Sequence, residues 1–243
     1  MNTKDTQTKH SPIGGCYYAH PKIAILVDGG FYRKRAKYLF GEKTAEERAR
    51  ELQAYCLEHT RNFNSELYRI FYYDCPPIDK QIYHPLLKRN INLKFTDTYK
   101  WTLAFMQTLK SFRKFALRLG VLSESGTTYT IKPKLLKPLC AGTKRIEDLK
   151  ESDFEIPVEQ KGVDMKIGID IASLAYKKQV DRIVLISGDS DFVPAAKLAR
   201  REGIDFILDP MWATIKDNLS EHIDGIQSNW KKKLNNKKIP ANP

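Results

Sequence analysis

An α/β fold built on a mainly parallel sheet, with helices covering both faces, is the architecture this sequence predicts. Three observations carry that expectation. Ile23 to Val27 and Ile183 to Ile186 are short, wholly apolar runs, as strands buried on both faces require. Amphipathic stretches of about 10–16 residues lie between such runs, and strands alternating with helices of that length imply βαβ units with right-handed crossovers. With 243 residues, 42% of them hydrophobic, the chain is long enough to bury a substantial core. Disorder of the whole chain is excluded.

Residues 1–20 are polar, contain Gly14-Gly15 and show no apolar period, so they read as a flexible leader. The fold begins near Pro21. The first strand, Ile23 to Val27, stops at Asp28-Gly29-Gly30, which reads as a turn. Thr44 and Glu47 form a capping-box signature, and Leu52, Tyr55, Cys56 and His59 carry helical spacing to Asn62. Leu67 to Tyr73 is the next strand, closed by Asp74 and Pro76-Pro77. Two helical patterns follow, around Tyr83 to Leu87 and from Leu103 to Leu119, and residues 121–158 look irregular, with a hairpin. Val163 to Lys178 is a helix, Ile183 to Ile186 a strand, and Phe192 to Arg201 a helix with Pro194 in its first turn. Ile204 to Leu208 and Ile215 to His222 supply a last strand and a last short helix. The expected organisation is a leader at 1–20, one domain at 21–225 with a basic helical and irregular insertion at 78–158, and a basic tail at 226–243.

Charge narrows the function classes. Lys and Arg number 41 against 29 Asp and Glu, a formal charge of +12, which predicts a polyanionic partner. Between Lys80 and Gly120 nine basic residues accompany the single Asp97, interleaved with Tyr99, Trp101, Phe105, Phe112 and Phe115. Those aromatics read first as the inward face of a solvated basic helix and only second as platforms for bases. No apolar run approaches the roughly 18–20 residues of a membrane span, and no secretory signal is expected. Cys16, Cys56, Cys75 and Cys140 are widely spaced, without a C-x-x-C pair, as expected of reduced thiols in the cytoplasm.

Ligands of open α/β sheets collect at the carboxyl ends of the strands, and there this sequence places aspartates. Asp28 ends the first strand, Ser187-Gly188-Asp189-Ser190-Asp191 follows the Ile183 strand, and Lys161-Gly162-Val163-Asp164 opens a helix that also carries Asp170. Carboxylates converging on one sheet edge repel unless a cation neutralises them. An all-oxygen set without His or Cys suits Mg²⁺ or Mn²⁺ rather than zinc. Taken singly, Asp28 also reads as a turn residue, and Asp164 and Asp191 as helix caps. Asp170, six residues after Asp164, lies about 120° around the helix, at the rim of any shared site.

These three segments resemble the NYN domain, in the LabA-like branch of the PIN-like nuclease superfamily. The resemblance runs from about residue 21 to 225, apart from the middle insertion. It implies a PIN-like three-layer α/β/α sandwich and a metal-dependent nuclease acting on RNA, with Asp28, Asp164, Asp189 and Asp191 as its metal-binding acidic positions. Where the family often carries Asn shortly after the first Asp-Gly, this chain has Phe31.

The expected chemistry is therefore phosphodiester hydrolysis in single-stranded or structured RNA by metal-activated water. Ser187, Ser190 and Lys161 are candidate contacts to the phosphate or a metal-bound water, and Arg33, Lys34 and Arg35 candidate contacts to the RNA backbone. The alternative is an RNA-binding or regulatory module of the same fold with little or no turnover. A phosphoacceptor role for Asp28 fits less well, because no suitably placed downstream Lys is evident. Oligomeric state is left open by the sequence.

Overall fold

The computed structural model describes residues 20–122, 128–157, 160–215 and 217–230. In chain order the elements are β1 Lys22–Asp28, α1 Gly29–Phe40, α2 Ala45–Asn62, β2 Glu66–Asp74, β3 Gln81–His84, β4 Arg89–Asn92, α3 Asp97–Ser111 and β5 Phe115–Leu119. There follow β6 Val121–Leu122, β7 Thr130–Ile131, α4 Leu136–Cys140, β8 Phe154–Glu155, β9 Gln160–Lys161 and α5 Val163–Tyr176. The chain continues through β10 Arg182–Ile186, α6 Val193–Arg201, β11 Asp205–Asp209, α7 Asp217–Ser220 and β12 Gly225–Ile226.

A six-stranded sheet in the order β12-β11-β10-β1-β2-β5 forms the middle layer, and every neighbouring pair in it is parallel. Strand alternation divides β1 between two cores. Ile23, Ile25 and Val27 face α1, α2 and α3, where Tyr32, Leu52, Tyr55 and Phe105 are buried. Ala24 and Leu26 face α5 and α6, where Ile167, Ile171, Ala196 and Ala199 are buried. Helices on both faces make the three-layer α/β/α arrangement that the apolar runs predict. Because both faces of β1 and β10 are covered, their sequences contain no outward polar residue between Ile23 and Val27 or between Ile183 and Ile186.

The strand order also fixes where a ligand goes. The chain runs from β1 outward through β2 and β5, then returns to β10 on the other side of β1 and continues outward to β11 and β12. The order reverses between β1 and β10, and the crevice at their carboxyl ends is the switch point at which such sheets bind ligands.

Several elements depart from expectation, each for a local reason. The turn expected at Asp28-Gly29-Gly30 is instead the start of α1, whose N-cap is Asp28 itself. Its glycines, poor helix formers, are imposed by packing. A Cβ on Gly29 would lie 2.5 Å from the Tyr72 hydroxyl and 2.6 Å from the Tyr73 carbonyl. The helix expected at Tyr83 to Leu87 is replaced by the antiparallel β3–β4 hairpin, in which Ile82 and His84 are buried with the period of a strand. The helix expected from Leu103 to Leu119 starts earlier, capped by Thr96, and ends at Ser111. Lys114 then adopts φ +63°, and the chain becomes β5 at the sheet edge. The region 78–158 therefore contributes α3 and β5 to the main layers. Antiparallel pairing within the irregular stretch joins β7 to β8 across a long loop rather than in a local hairpin. The capping box at Thr44 and Glu47 is present as expected. The flexible leader falls almost wholly, and the end of the basic tail entirely, outside the described residues.

Candidate active site

The switch point is closed by a short hydrogen-bonded chain. Asp28 Oδ1 accepts from the Phe31 amide at 3.0 Å, and Asp28 Oδ2 accepts from Ser187 Oγ at 3.2 Å. Ser187 Oγ accepts in turn from the Asp189 amide at 3.3 Å, and Asp189 Oδ1 accepts from the Asp191 amide at 3.0 Å. Ser187 thus ties the end of β1 to the loop after β10 and fixes the start of the acidic loop. Phe31 determines how tightly that loop can lie. A Cβ on Gly188 would approach the Phe31 ring to 2.7 Å, so the aromatic ring rests on bare glycine backbone.

The carboxylates share one electrostatic environment. Burial raises the pKa of Asp28, its hydrogen bonds from Phe31 and Ser187 oppose the rise, and the charges of Asp164 and Asp74 add to it. Asp164, exposed in the first turn of α5, is raised by partial burial and by the charges of Asp189 and Asp191. Asp164 therefore lies within electrostatic reach of Asp28 on one side and of Asp189 and Asp191 on the other. Two of them also serve as caps, Asp28 for α1 and Asp189 for the 3₁₀ turn at Ser190–Phe192.

The other sequence candidates take different positions. Asp170 accepts on Oδ2 from Tyr73 Oη at 2.8 Å and from Arg118 Nε at 2.9 Å, so it anchors α5 to β2 and β5. Arg33 and Arg35 leave opposite flanks of α1, as positions 200° apart must. Arg33 donates to Asp74 Oδ1 at 3.0 Å. Burial opposes its charged form, but Tyr72, Asp74 and Asp28 hold its pKa above the usual value. Arg35 donates to the Met211 carbonyl through Nε and Nη2 at 3.2 and 2.7 Å. It braces the turn after β11, and its guanidinium is spent on the fold. Lys34 is exposed on α1 and Lys161 on β9; Ser190 is half-buried in the acidic loop.

Sequence reasoning missed Asp74 as part of this edge. Fully buried at the end of β2, it accepts from Arg33, from the Cys75 amide at 2.8 Å, from Gln160 Nε2 at 3.1 Å and from Tyr72 Oη at 2.9 Å. Its position after an apolar strand, equivalent to that of Asp28, was the available signal. Beside it a groove of about 1020 Å³ is lined by Gly30, Asp74, Gln160, Tyr99, Trp101 and Tyr129 among others.

A divalent ion suits this edge by donor chemistry, since hard cations take carboxylate oxygens and each Asp28 oxygen accepts one hydrogen bond, from the Phe31 amide and from Ser187. Among the described residues, however, no three His, Cys, Asp or Glu side chains already converge as an ion-holding group. The residues fit a metal in kind and in mutual repulsion, and the ion itself would have to draw them together.

Residues 110–224, slightly under half of the chain, match the family model described as NYN domain. The match spans α5, β10, the acidic loop, α6 and β11, and it supports NYN kinship for this part of the chain. The six-stranded parallel sheet between helical layers is consistent with a PIN-like α/β/α fold. An uncharacterized protein of Methanocaldococcus jannaschii, MJ0482, is 27% identical over 86 residues, which cover 34% of this chain and 36% of that protein. The chain thus matches only about a third of that relative's length. A solved structure from Vibrio parahaemolyticus RIMD 2210633, VPA0982, a protein of unknown function, aligns over 86% of this chain and 93% of its own, with 15% identity and a TM-score of 0.44. Among the described residues no helix is long and apolar enough to cross a membrane.

Proposed function

We propose that this protein is a metal-dependent endoribonuclease of the LabA-like NYN type, hydrolysing RNA phosphodiester bonds at the carboxyl ends of β1 and β10. The observation that supports this most is the gathering of aspartates around Asp164 at the switch point, where burial first, and then the charges of neighbouring carboxylates, raise the pKa of Asp28 and Asp164. Similarity to the NYN domain over residues 110–224 supports a nuclease as the reaction class. Asp28, Asp164 and Asp189 would hold Mg²⁺ or Mn²⁺, with Asp191 direct or through water. When bound, the ion supplies an activated water and neutralises charge on the phosphate.

The chain's own residues do the positioning. Ser187 orients Asp28 and pins the Asp189 amide. Arg33, kept protonated beside Asp74, and Lys34 offer positive charge to the phosphates flanking the cut. Lys161, three residues before Asp164, and Ser190, within the acidic loop, would contact the scissile phosphate or a metal-bound water.

The test is cleavage of single-stranded RNA with Mn²⁺ by the wild type beside Asp189→Asn. Loss of about a hundredfold or more in rate is expected of the variant, and equal cleavage by the two proteins overturns the site. A second reading, an RNA-binding module with little turnover, is favoured by one observation: Phe31 stands against Gly188 where the family resemblance expects Asn. It predicts salt-sensitive RNA binding without metal-dependent product.

A further inference from the structure

Resting on the ribonuclease reading, we infer that the groove between α1, α3 and the β3–β4 and β7–β8 segments binds unpaired bases of a single RNA strand and leads that strand to the acidic edge. The groove adjoins the site directly. A Cβ on Gly30, one of its lining residues, would lie 3.5 Å from Asp28 Oδ1 and 3.6 Å from Gln160 Oε1. The groove therefore meets the Asp28 rim, and its lining carries the rings of Tyr99, Trp101 and Tyr129.

Charge and surface chemistry select the occupant. Arg33, Lys34 and Lys37 stand along the α1 wall, and the lining carboxylate, Asp74, is already neutralised by Arg33 at 3.0 Å. Lys37 is held to Glu42 at 2.6 Å, both in solvent; Lys34 has no acidic partner among the described residues. A positive rim over an apolar floor matches a strand whose phosphates face solvent and whose bases turn inward. The aromatic floor is prepared in advance. Trp101 donates from Nε1 to the Lys43 carbonyl at 3.0 Å and lies parallel to Phe105 at 5.1 Å between ring centroids. Tyr129 is held against His84 at 4.3 Å. Stiff rings stack on bases with little further loss of freedom.

The same lining argues against sequence readout. The Thr96 hydroxyl donates to the Leu93 carbonyl at 2.6 Å, and the Gln160 amide donates to Asp74. With those polar groups committed to the fold, stacking dominates, and stacking tolerates any base. A duplex, whose bases are already stacked inside it, has nothing to place on Trp101 and Tyr99.

The experiment measures fluorescence anisotropy of a labelled single-stranded RNA of about ten nucleotides with the whole protein in chelator, so that binding is read without turnover. Lys34→Glu should weaken binding about tenfold and flatten its salt dependence. Tyr99→Ala should weaken it about five- to a hundredfold, the range for one stacked base. Lys197→Glu makes the same charge change on α6, across the sheet, and should leave affinity within about twofold. The inference is overturned if Lys34→Glu and Tyr99→Ala bind like the wild type, if Lys197→Glu weakens binding as much as Lys34→Glu, or if a blunt duplex binds as tightly as the single strand. Binding that depends on Lys34 and Tyr99, in a protein that makes no Mn²⁺-dependent product, supports the groove while overturning the nuclease reading.

Discussion

Two aspartates at the carboxyl ends of parallel strands, Asp28 on β1 and Asp209 on β11, occupy equivalent places in the sheet and opposite chemical situations. Asp209 is fully buried. Its Oδ1 accepts from the Met211 amide at 2.7 Å and Ser228 Oγ at 2.8 Å, and its Oδ2 lies 2.6 Å from the Tyr55 hydroxyl and 2.8 Å from His59 Nε2. A carboxylate offers about four lone-pair directions, and all of them are taken. Asp28 accepts one donor on each oxygen, from Phe31 and Ser187, and faces the charges of Asp164 and Asp74. Asp74, with four donors of its own, belongs with Asp209. A strand-end carboxylate that is saturated holds the fold together; one left with spare acceptor capacity beside its own kind is available for a ligand.

That contrast breaks most visibly at Asp209. Asp209→Ala strands the Tyr55 hydroxyl, His59 Nε2, the Met211 amide and the Ser228 hydroxyl, several of them in the interior. Because each unsatisfied buried group costs about 1–3 kcal/mol, a loss of about 3–5 kcal/mol is expected in urea unfolding. A loss below about 1 kcal/mol would show that saturation is incidental.

Asp28→Asn should behave in the opposite sense. Asn keeps an acceptor for the Phe31 amide and removes a charge that burial and neighbouring carboxylates oppose. In the wild type the pKa values of Asp28 and Asp164 are raised in the folded state, above the roughly 3.9 of the unfolded chain. The native state then binds more protons than the unfolded one, so stability falls as pH rises from about 4 through the folded-state values. In chelator, Asp28→Asn should be as stable as the wild type near pH 4 and more stable at pH 7, while Mn²⁺-dependent RNA cleavage is lost. A variant less stable than the wild type at pH 7 would place Asp28 with Asp209 as a structural residue.

The contrast also explains how far the residues themselves could be read. The central strands were legible because burial on both faces leaves only apolar residues, as in Ile23 to Val27 and Ile183 to Ile186. The helix at Ala45–Asn62 announced itself through Thr44 and Glu47. Helix α1 did not, since Gly29 and Gly30 argue against a helix locally, and the approach of Tyr72 and Tyr73 that demands Gly29 comes from another strand. The β3–β4 hairpin was hidden for the same kind of reason: His84 is buried through Tyr129 and Phe154, distant in sequence. Asp28 and Asp189 could be picked out by position, but which strand-end aspartates are saturated depends on donors far away, such as Tyr55 and His59 for Asp209. Arg35 illustrates the converse. It sits beside Arg33 and Lys34 in sequence, yet the helix turns it to Met211 and away from the groove.

The smallest and sharpest effect lies where the acidic loop leans on Phe31. Gly188→Ala inserts a methyl group 2.7 Å from the Phe31 ring edge, closer than van der Waals contact allows, so either the ring rotates or the loop lifts. Phe31 is only half-buried, and overpacking costs about 1–3 kcal/mol in a tight core; here the stability loss should fall at or below the lower end. Activity should respond more, because the loop carries Asp189 and Asp191 and displacements near 1 Å can cost about a hundredfold. Trimming the ring removes the clash, so Gly188→Ala combined with Phe31→Ala should recover activity relative to Gly188→Ala alone, a coupling that a double-mutant cycle measures. Additive effects of the two substitutions would mean that Phe31 does not set the position of the acidic loop, and its place beside Gly188 would then carry no weight for turnover.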